Sequence, residues 1–175
     1  AACRKPLDEV PVKSPPVTVW SNADAAPYPA GGDVRDRLAD HLISPVRFSD
    51  EVQAMHEAGA RIFVEVYTVE DDTVGRQLVH TLCEAARRGV EVFFFYDWAG
   101  CIGTDVSLFD SMERSGVVVK AFRPIASWRP RWSWHRRNHR KLVVVDEEIG
   151  FCGGLNWADV YDSSADGQLR WRDTA

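Results

Sequence analysis

The sequence predicts an α/β fold, a mixed, mostly parallel sheet flanked by helices. Strand-like and helix-like segments alternate from Arg61 to Phe122, capping residues and glycines mark their ends, and 45% hydrophobic residues in 175 are enough for one substantial core. "RIFVEVYT" reads as a buried strand, after which Asp72 or Thr73 caps a helix running to about Arg88, with Gly89 at its stop. "VEVFFFYD" is the next strand, residues 105–115 the next helix, and "GVVVKAF" the strand after it. That rhythm implies right-handed crossovers and parallel pairing. Ligands of such sheets gather beyond the carboxyl ends of the strands, which directs attention to the loops after Thr68, Asp97 and Phe122.

Upstream the pattern is looser. Residues 1–16 contain Pro6, Pro11, Pro15 and Pro16 and suit an extended arm or linker, leaving residues 17–175 as one domain that looks incomplete at its C-terminal end. Val17 to Trp20 reads as an edge strand, and a Gly/Pro/Ala-rich loop follows through Gly32. "DVRDRLADHL" and "SDEVQAMHEAGA" are helix-like, the second with Ser49 or Asp50 as N-cap and Gly59 near its end. No uncharged apolar run approaches the ~18 residues of a membrane span, so membrane contact would be peripheral. The chain opens on Ala1 rather than Met, which leaves room for a removed targeting segment. Cys3, Cys83, Cys101 and Cys152 lack CxxC spacing and the density of a disulfide-stapled domain, and are expected to be mostly reduced and buried.

The net charge of −5 conceals an uneven distribution. Nine basic residues and no acidic one fall between Arg114 and Val145, leaving 12 of the 21 basic residues against all 26 acidic ones elsewhere. A solvated basic loop is the plain account of such a run. An acidic protein with one basic segment is also suited to holding anionic groups at one place.

That segment leads into "HRKLVVVDEEIGFCGGLN". The apolar run Leu142 to Val145 makes a strand, and a period of two puts His139 and Lys141 on one face and Arg140 on the other. An imidazole beside an ammonium forms a phosphate site, in which one nitrogen attacks phosphorus while the charge steadies the oxyanions. Asp146 has the opposite parity, at a turn, and is expected to hold that turn or a nearby partner. "IGFCGGLN" returns as the second strand of a hairpin. Gly153 and Gly154 permit close approach there, and Asn156 offers amide donors to a phosphate oxygen.

The spacing HxKxxxxD followed after six residues by GGxN, on His139, Lys141, Asp146, Gly153, Gly154 and Asn156, resembles the HKD motif of the phospholipase D superfamily. "IFVEVYTVEDDTVGR", "AARRGVEVFFFYDWAGCIGT", "SGVVVKAFRPI", "RRNHRKLVVVD" and "WRDT" are most similar to the N-terminal catalytic half of bacterial cardiolipin synthases and related phosphatidyltransferases, from about Arg61 onward. The resemblance implies that His139 forms a phosphohistidine, that Lys141, Asn156 and Gly154 bind the phosphoryl group, and that Asp173 in "WRDT" hydrogen-bonds the other nitrogen of the His139 ring. A carboxylate there fixes the tautomer and supports positive charge on the ring. Glu65 matches a family glutamate, with a buried, hydrogen-bonded structural role as the plainer account. No metal and no cofactor is implied. Family enzymes set two HKD motifs across one site, whereas this sequence contains one. General acid help from the second contributes ~10²–10⁴-fold, so a second half is expected from a homodimer or from a further C-terminal region.

Other patterns are weaker. His135 and His139 have the spacing of a helical zinc pair, but on a strand they would stand ~13 Å apart, and no Cys or Glu completes the set. Ser133 near His135 lacks a GxSxG elbow. Trp128, Trp132 and Trp134 interleaved with Arg129 and Arg131 suit core packing, base stacking or lipid headgroups, and rings beside arginines favour an interface. Three functions follow: phosphatidyl transfer or hydrolysis on phospholipid, at the cytoplasmic side of a membrane; an HKD-type endonuclease or phosphodiesterase acting as a homodimer, which the acidic remainder of the chain disfavours; or a catalytically silent membrane-binding module.

Overall fold

The computed structural model describes residues 48–124 and 137–161, together with Glu9, Pro11, Trp20, Ser21, Ala26, Pro27, Arg35 and Asp36. Among the described residues seven strands form one sheet: β1 (Trp20–Ser21), β2 (Ala26–Pro27), β3 (Arg61–Val66), β4 (Glu91–Asp97), β5 (Val118–Phe122), β6 (Leu142–Val145) and β7 (Ile149–Cys152). Their order is β2-β1-β7-β6-β3-β4-β5. β3, β4 and β5 pair in parallel, as their helical crossovers require. The β6–β7 hairpin joins the other side of β3 antiparallel, which makes the sheet mixed.

Three helices have described boundaries: α1 (Phe48–Glu57), α2 (Thr73–Arg87) and α3 (Val106–Arg114). Asp72 caps α2 by accepting the Gly75 N–H at 2.9 Å, and Asp105 caps α3 by accepting the Ser107 N–H at 2.8 Å. Gly89 and Gly116, just beyond these helices, have φ of +94° and +95°, backbone that a side chain would strain. α1 begins at Phe48, so Ser49 and Asp50 fall in its first turn instead of at its cap. An acidic residue there still suits the positive end of the helix dipole.

β3 alternates in burial. Ile62, Val64 and Val66 are buried and Phe63 and Glu65 only partly so. The buried set joins Val92 and Phe94 of β4 and Val143 and Val145 of β6 in a core with Met55, Leu78, Leu82 and Met112 from the helices. Each such side chain contributes ~1.5–3 kcal/mol through burial. On the opposite face Phe63 and Phe93 stack at 4.8 Å, while Phe95, Val118 and Phe122 remain exposed.

Two expectations change. β1 pairs in parallel with β7 and antiparallel with β2, so Trp20 lies inside the sheet because the short β2 supplies the margin; residues 17–19 lie outside the described set. Cys83 and Cys101 are buried, and burial pushes the Cys101 thiol up. Cys152 is exposed, and Cys3 lies outside the described residues. No helix among the described residues is long and apolar enough to cross a membrane.

Candidate active site

The site is assembled where residues 137–140 cross the carboxyl ends of the parallel strands. Asp97 ends β4 fully buried, accepting the backbone N–H of Asn138 at 2.8 Å and of Ala99 at 2.9 Å. Arg137 Nη1 lies 3.5 Å from the same carboxylate. The Asn138 side chain donates to Glu65 Oε1, on β3, and Arg140 Nη1 stands 4.0 Å from that oxygen. The chain therefore passes from β4 over the end of β3 before entering β6, which pairs with β3.

His139 and Lys141 meet at this crossing. Lys141 Nζ lies 2.8 Å from His139 Nδ1, 3.2 Å from Nε2 and 3.0 Å from the His139 carbonyl oxygen. Lys141 is only 7% exposed, while the imidazole lines an open cleft. The Tyr67 ring packs against His139 at 4.6 Å between centroids and faces the Lys141 ammonium at 5.6 Å, a favourable cation–π separation. An ammonium carries donors only, so the imidazole nitrogen it binds must present a lone pair.

Asn156 is carried here by a second crossing. Its Oδ1 accepts the Thr68 N–H at 3.3 Å, and its Nδ2 donates to the Tyr161 hydroxyl at 3.3 Å. Trp157 donates to Thr68 O at 3.2 Å and accepts from Glu70 N–H at 3.1 Å, stitching this stretch to the chain after β3. Asp72 and Asp159 lock it further. Asp72 accepts the Asp159 N–H at 2.6 Å, and Asp159 accepts the Val74 N–H at 2.8 Å. Asn156 thus sits beside Thr68, the residue after Tyr67. Gly153 donates to Lys141 O at 3.3 Å and extends the hairpin by one rung; Gly154 follows, half-buried.

Asp146 lies at the other end of β6, away from His139. Its φ of +52° and that of Glu147, +60°, turn the hairpin through left-handed backbone. The carboxylate accepts the N–H groups of Gly59 and Ala60 at 2.8 Å and of Arg61 at 2.7 Å. Desolvation works to raise its pKa, but these three N–H donors outweigh it and hold the carboxyl below the usual carboxylate range. The Asp146 N–H donates in turn to Arg61 O at 2.7 Å, pinning the hairpin to the start of β3.

A cleft of about 730 Å³ opens beside His139, with Glu65 and Phe95 on its floor and Lys120, Phe122 and Arg123 at the β5 side. Among the described residues four guanidinium and ammonium groups, from Lys120, Arg123, Arg137 and Arg140, line it against one carboxylate, that of Glu65. Asp173, Trp128, Arg129, Arg131, Trp132 and Trp134 lie outside the described residues, as do Ser133 and His135. Tyr67, Asp97 and Asn138 are contacts that sequence reasoning did not single out. A charged residue closing the apolar run "VEVFFFYD" was a signal for Asp97, whereas nothing marked Tyr67 or Asn138.

Residues 52–161 match the family model described as "Cardiolipin synthase, PLD-like domain". The chain is 38% identical over 122 residues to cardiolipin synthase A of Pseudomonas syringae, covering 70% of this chain and 26% of that protein. It is 34% identical over 146 residues to cardiolipin synthase 1 of Bacillus anthracis, covering 82% and 29%. It thus spans less than a third of the length of either relative. Among solved structures, the phospholipase D family member Nuc from Salmonella typhimurium matches with a TM-score of 0.53 at 17% identity, over 68% of this chain and 70% of that one. NucT from Helicobacter pylori matches with a TM-score of 0.51 at 16% identity, over 70% of each chain. At these identities the likeness concerns the fold alone, a phospholipase D-like mixed sheet with flanking helices. With the family model spanning most of its length and carrying the His139–Lys141 pair, the chain belongs to the "Cardiolipin synthase, PLD-like domain" family.

Proposed function

We propose that this chain is one half-site of a phospholipase D-type phosphatidyltransferase or phosphodiesterase acting on phospholipid at a membrane surface. The observation that supports it is the buried Lys141 ammonium 2.8 Å from a ring nitrogen of His139, at the mouth of a cationic cleft. A phosphoryl oxygen entering beside the ring takes over the ammonium's donor, and the released nitrogen lone pair then faces phosphorus. The N–P bond forms as the P–O bond to the leaving alcohol breaks. The leaving oxygen takes a proton from an acid on a second half-site, contributed by another copy of the chain or by another region of a longer protein. An acceptor alcohol or water then gives its proton to the conjugate base of that acid and attacks phosphorus, and the P–N bond breaks to release His139 with its lone pair restored. Asn156 and Gly154 bind phosphoryl oxygens, and the family pattern assigns Asp173, outside the described residues, to the other ring nitrogen.

The test is covalent trapping. The chain is incubated with phosphatidylglycerol vesicles carrying ³²P in the phosphodiester and quenched in alkali, where phosphohistidine survives. Label retained by the unaltered chain and lost in His139→Asn supports the assignment, and equal labelling of both removes it.

A further inference from the structure

We propose that Asp97 is the positioning residue for His139, its buried carboxylate pinning the backbone of Asn138 and thereby setting where the imidazole stands. The proposal rests on the assignment of His139 as nucleophile, but the placement it describes is measurable by itself.

Asp97 is fully buried, and a carboxylate removed from water is strongly disfavoured unless donors surround it. Here the donors come from two directions. Ala99 N–H belongs to the turn that directly follows β4, so that bond is local. The Arg137 guanidinium and the Asn138 N–H come from a segment 40 and 41 residues onward, at 3.5 Å and 2.8 Å. Residues 137–140 belong to no strand, so no ladder holds them. The chain just before His139 is held by Asp97 on the Asn138 backbone and the Arg137 guanidinium, by the Arg123 carbonyl oxygen accepting from Arg137 at 3.5 Å, and by Glu65 on the Asn138 side chain. On the other side, β6 begins at Leu142. His139 therefore stands between anchors in β4 and β3 on one side and the start of β6 on the other, and the ring comes to rest on Tyr67. A charge-assisted bond from a rigid strand end is a stiff anchor for a residue that must meet phosphorus in one orientation. Asp97 touches neither substrate nor the reacting atoms in this scheme; it acts through Asn138.

Three measurements decide it. In the unaltered chain the Asn138 amide should exchange with solvent at least ~100-fold more slowly than an unprotected amide, although it lies outside any strand; exchange at the unprotected rate overturns the proposal. In Asp97→Asn, the His139 ring-proton shifts, which report the Tyr67 ring current, should move toward those of Tyr67→Leu. Unmoved shifts in a folded Asp97→Asn overturn it. Should that variant not fold, Asn138→Pro, which lacks the N–H, is compared with Asn138→Ala, which keeps it. A larger displacement of His139 in the proline variant supports the proposal, and equal displacement overturns it. On phosphatidylglycerol, Asp97→Asn should lower kcat ~100-fold with KM nearly unchanged, the signature of misplacement and not of weakened binding. If His139→Asn traps as much label as the unaltered chain, the assigned chemistry fails while the ring shifts still decide the placement.

Discussion

The Lys141 ammonium lies 2.8 Å from Nδ1 of His139 while its own residue is almost wholly buried, so a charge held inside the fold meets a ring that faces an open cleft. The two side chains thereby divide the requirements of phosphoryl chemistry. One supplies a fixed positive charge in a medium where it is weakly screened, and the other supplies a lone pair at the surface.

Lys141→Met should separate stability from activity. Replacing a buried cation by an apolar chain of similar length removes its desolvation cost, and the unfolding free energy read from urea titration is expected to stay within ~1 kcal/mol of the unaltered chain. Trapping of ³²P from phosphatidylglycerol should fall ~10²–10³-fold. Loss of both together would assign Lys141 to the fold instead.

Asp146→Asn should destabilise without touching the His139 end of β6. Its carboxylate serves three N–H groups, and with allowance for solvent the loss is put at ~1–2 kcal/mol, read from urea midpoints. Because its folded pKa lies below the ordinary carboxylate value, this stabilisation is fully present above pH ~4 and disappears as pH falls through the folded value. The gap between the two proteins should therefore close on acidification, and a constant gap from pH 7 to pH 2 would contradict the linkage.

The cleft cations should govern capture of anionic substrate. Lys120→Glu with Arg123→Glu is expected to raise KM ~10-fold on phosphatidylglycerol vesicles at low ionic strength, with the difference shrinking in 0.5 M salt as charges are screened. A salt-independent effect would point to a structural cause.

Gly100→Ala should couple the fold to the site. A Cβ at Gly100 would stand 2.1 Å from the Tyr67 carbonyl oxygen, so the backbone beneath the ring that supports His139 must shift. A loss of ~1–3 kcal/mol is expected from overpacking, accompanied by movement of the His139 ring-proton resonances. Full stability with unmoved resonances would show that the contact is easily relieved.

Local chemistry was enough to write much of this molecule down from its residues. The cap at Asp72, the stop at Gly89, the three parallel strands and the β6–β7 hairpin follow from side-chain period and backbone preference, which act over a few residues. The approach of Lys141 to His139 follows equally from a spacing of two. What the tertiary structure alone decided is what reaches this pair from elsewhere: Asp97 on Asn138 from β4, Tyr67 beneath the ring from the end of β3, Thr68 on Asn156, and the N–H groups of Gly59, Ala60 and Arg61 on Asp146. It also decided that β1 is interior and that α1 starts at Phe48. Each of these pairings joins positions far apart in the chain, or depends on which neighbour packs alongside. No local preference encodes which buried carboxylate will find which backbone N–H, because that match is made only when the sheet closes around both.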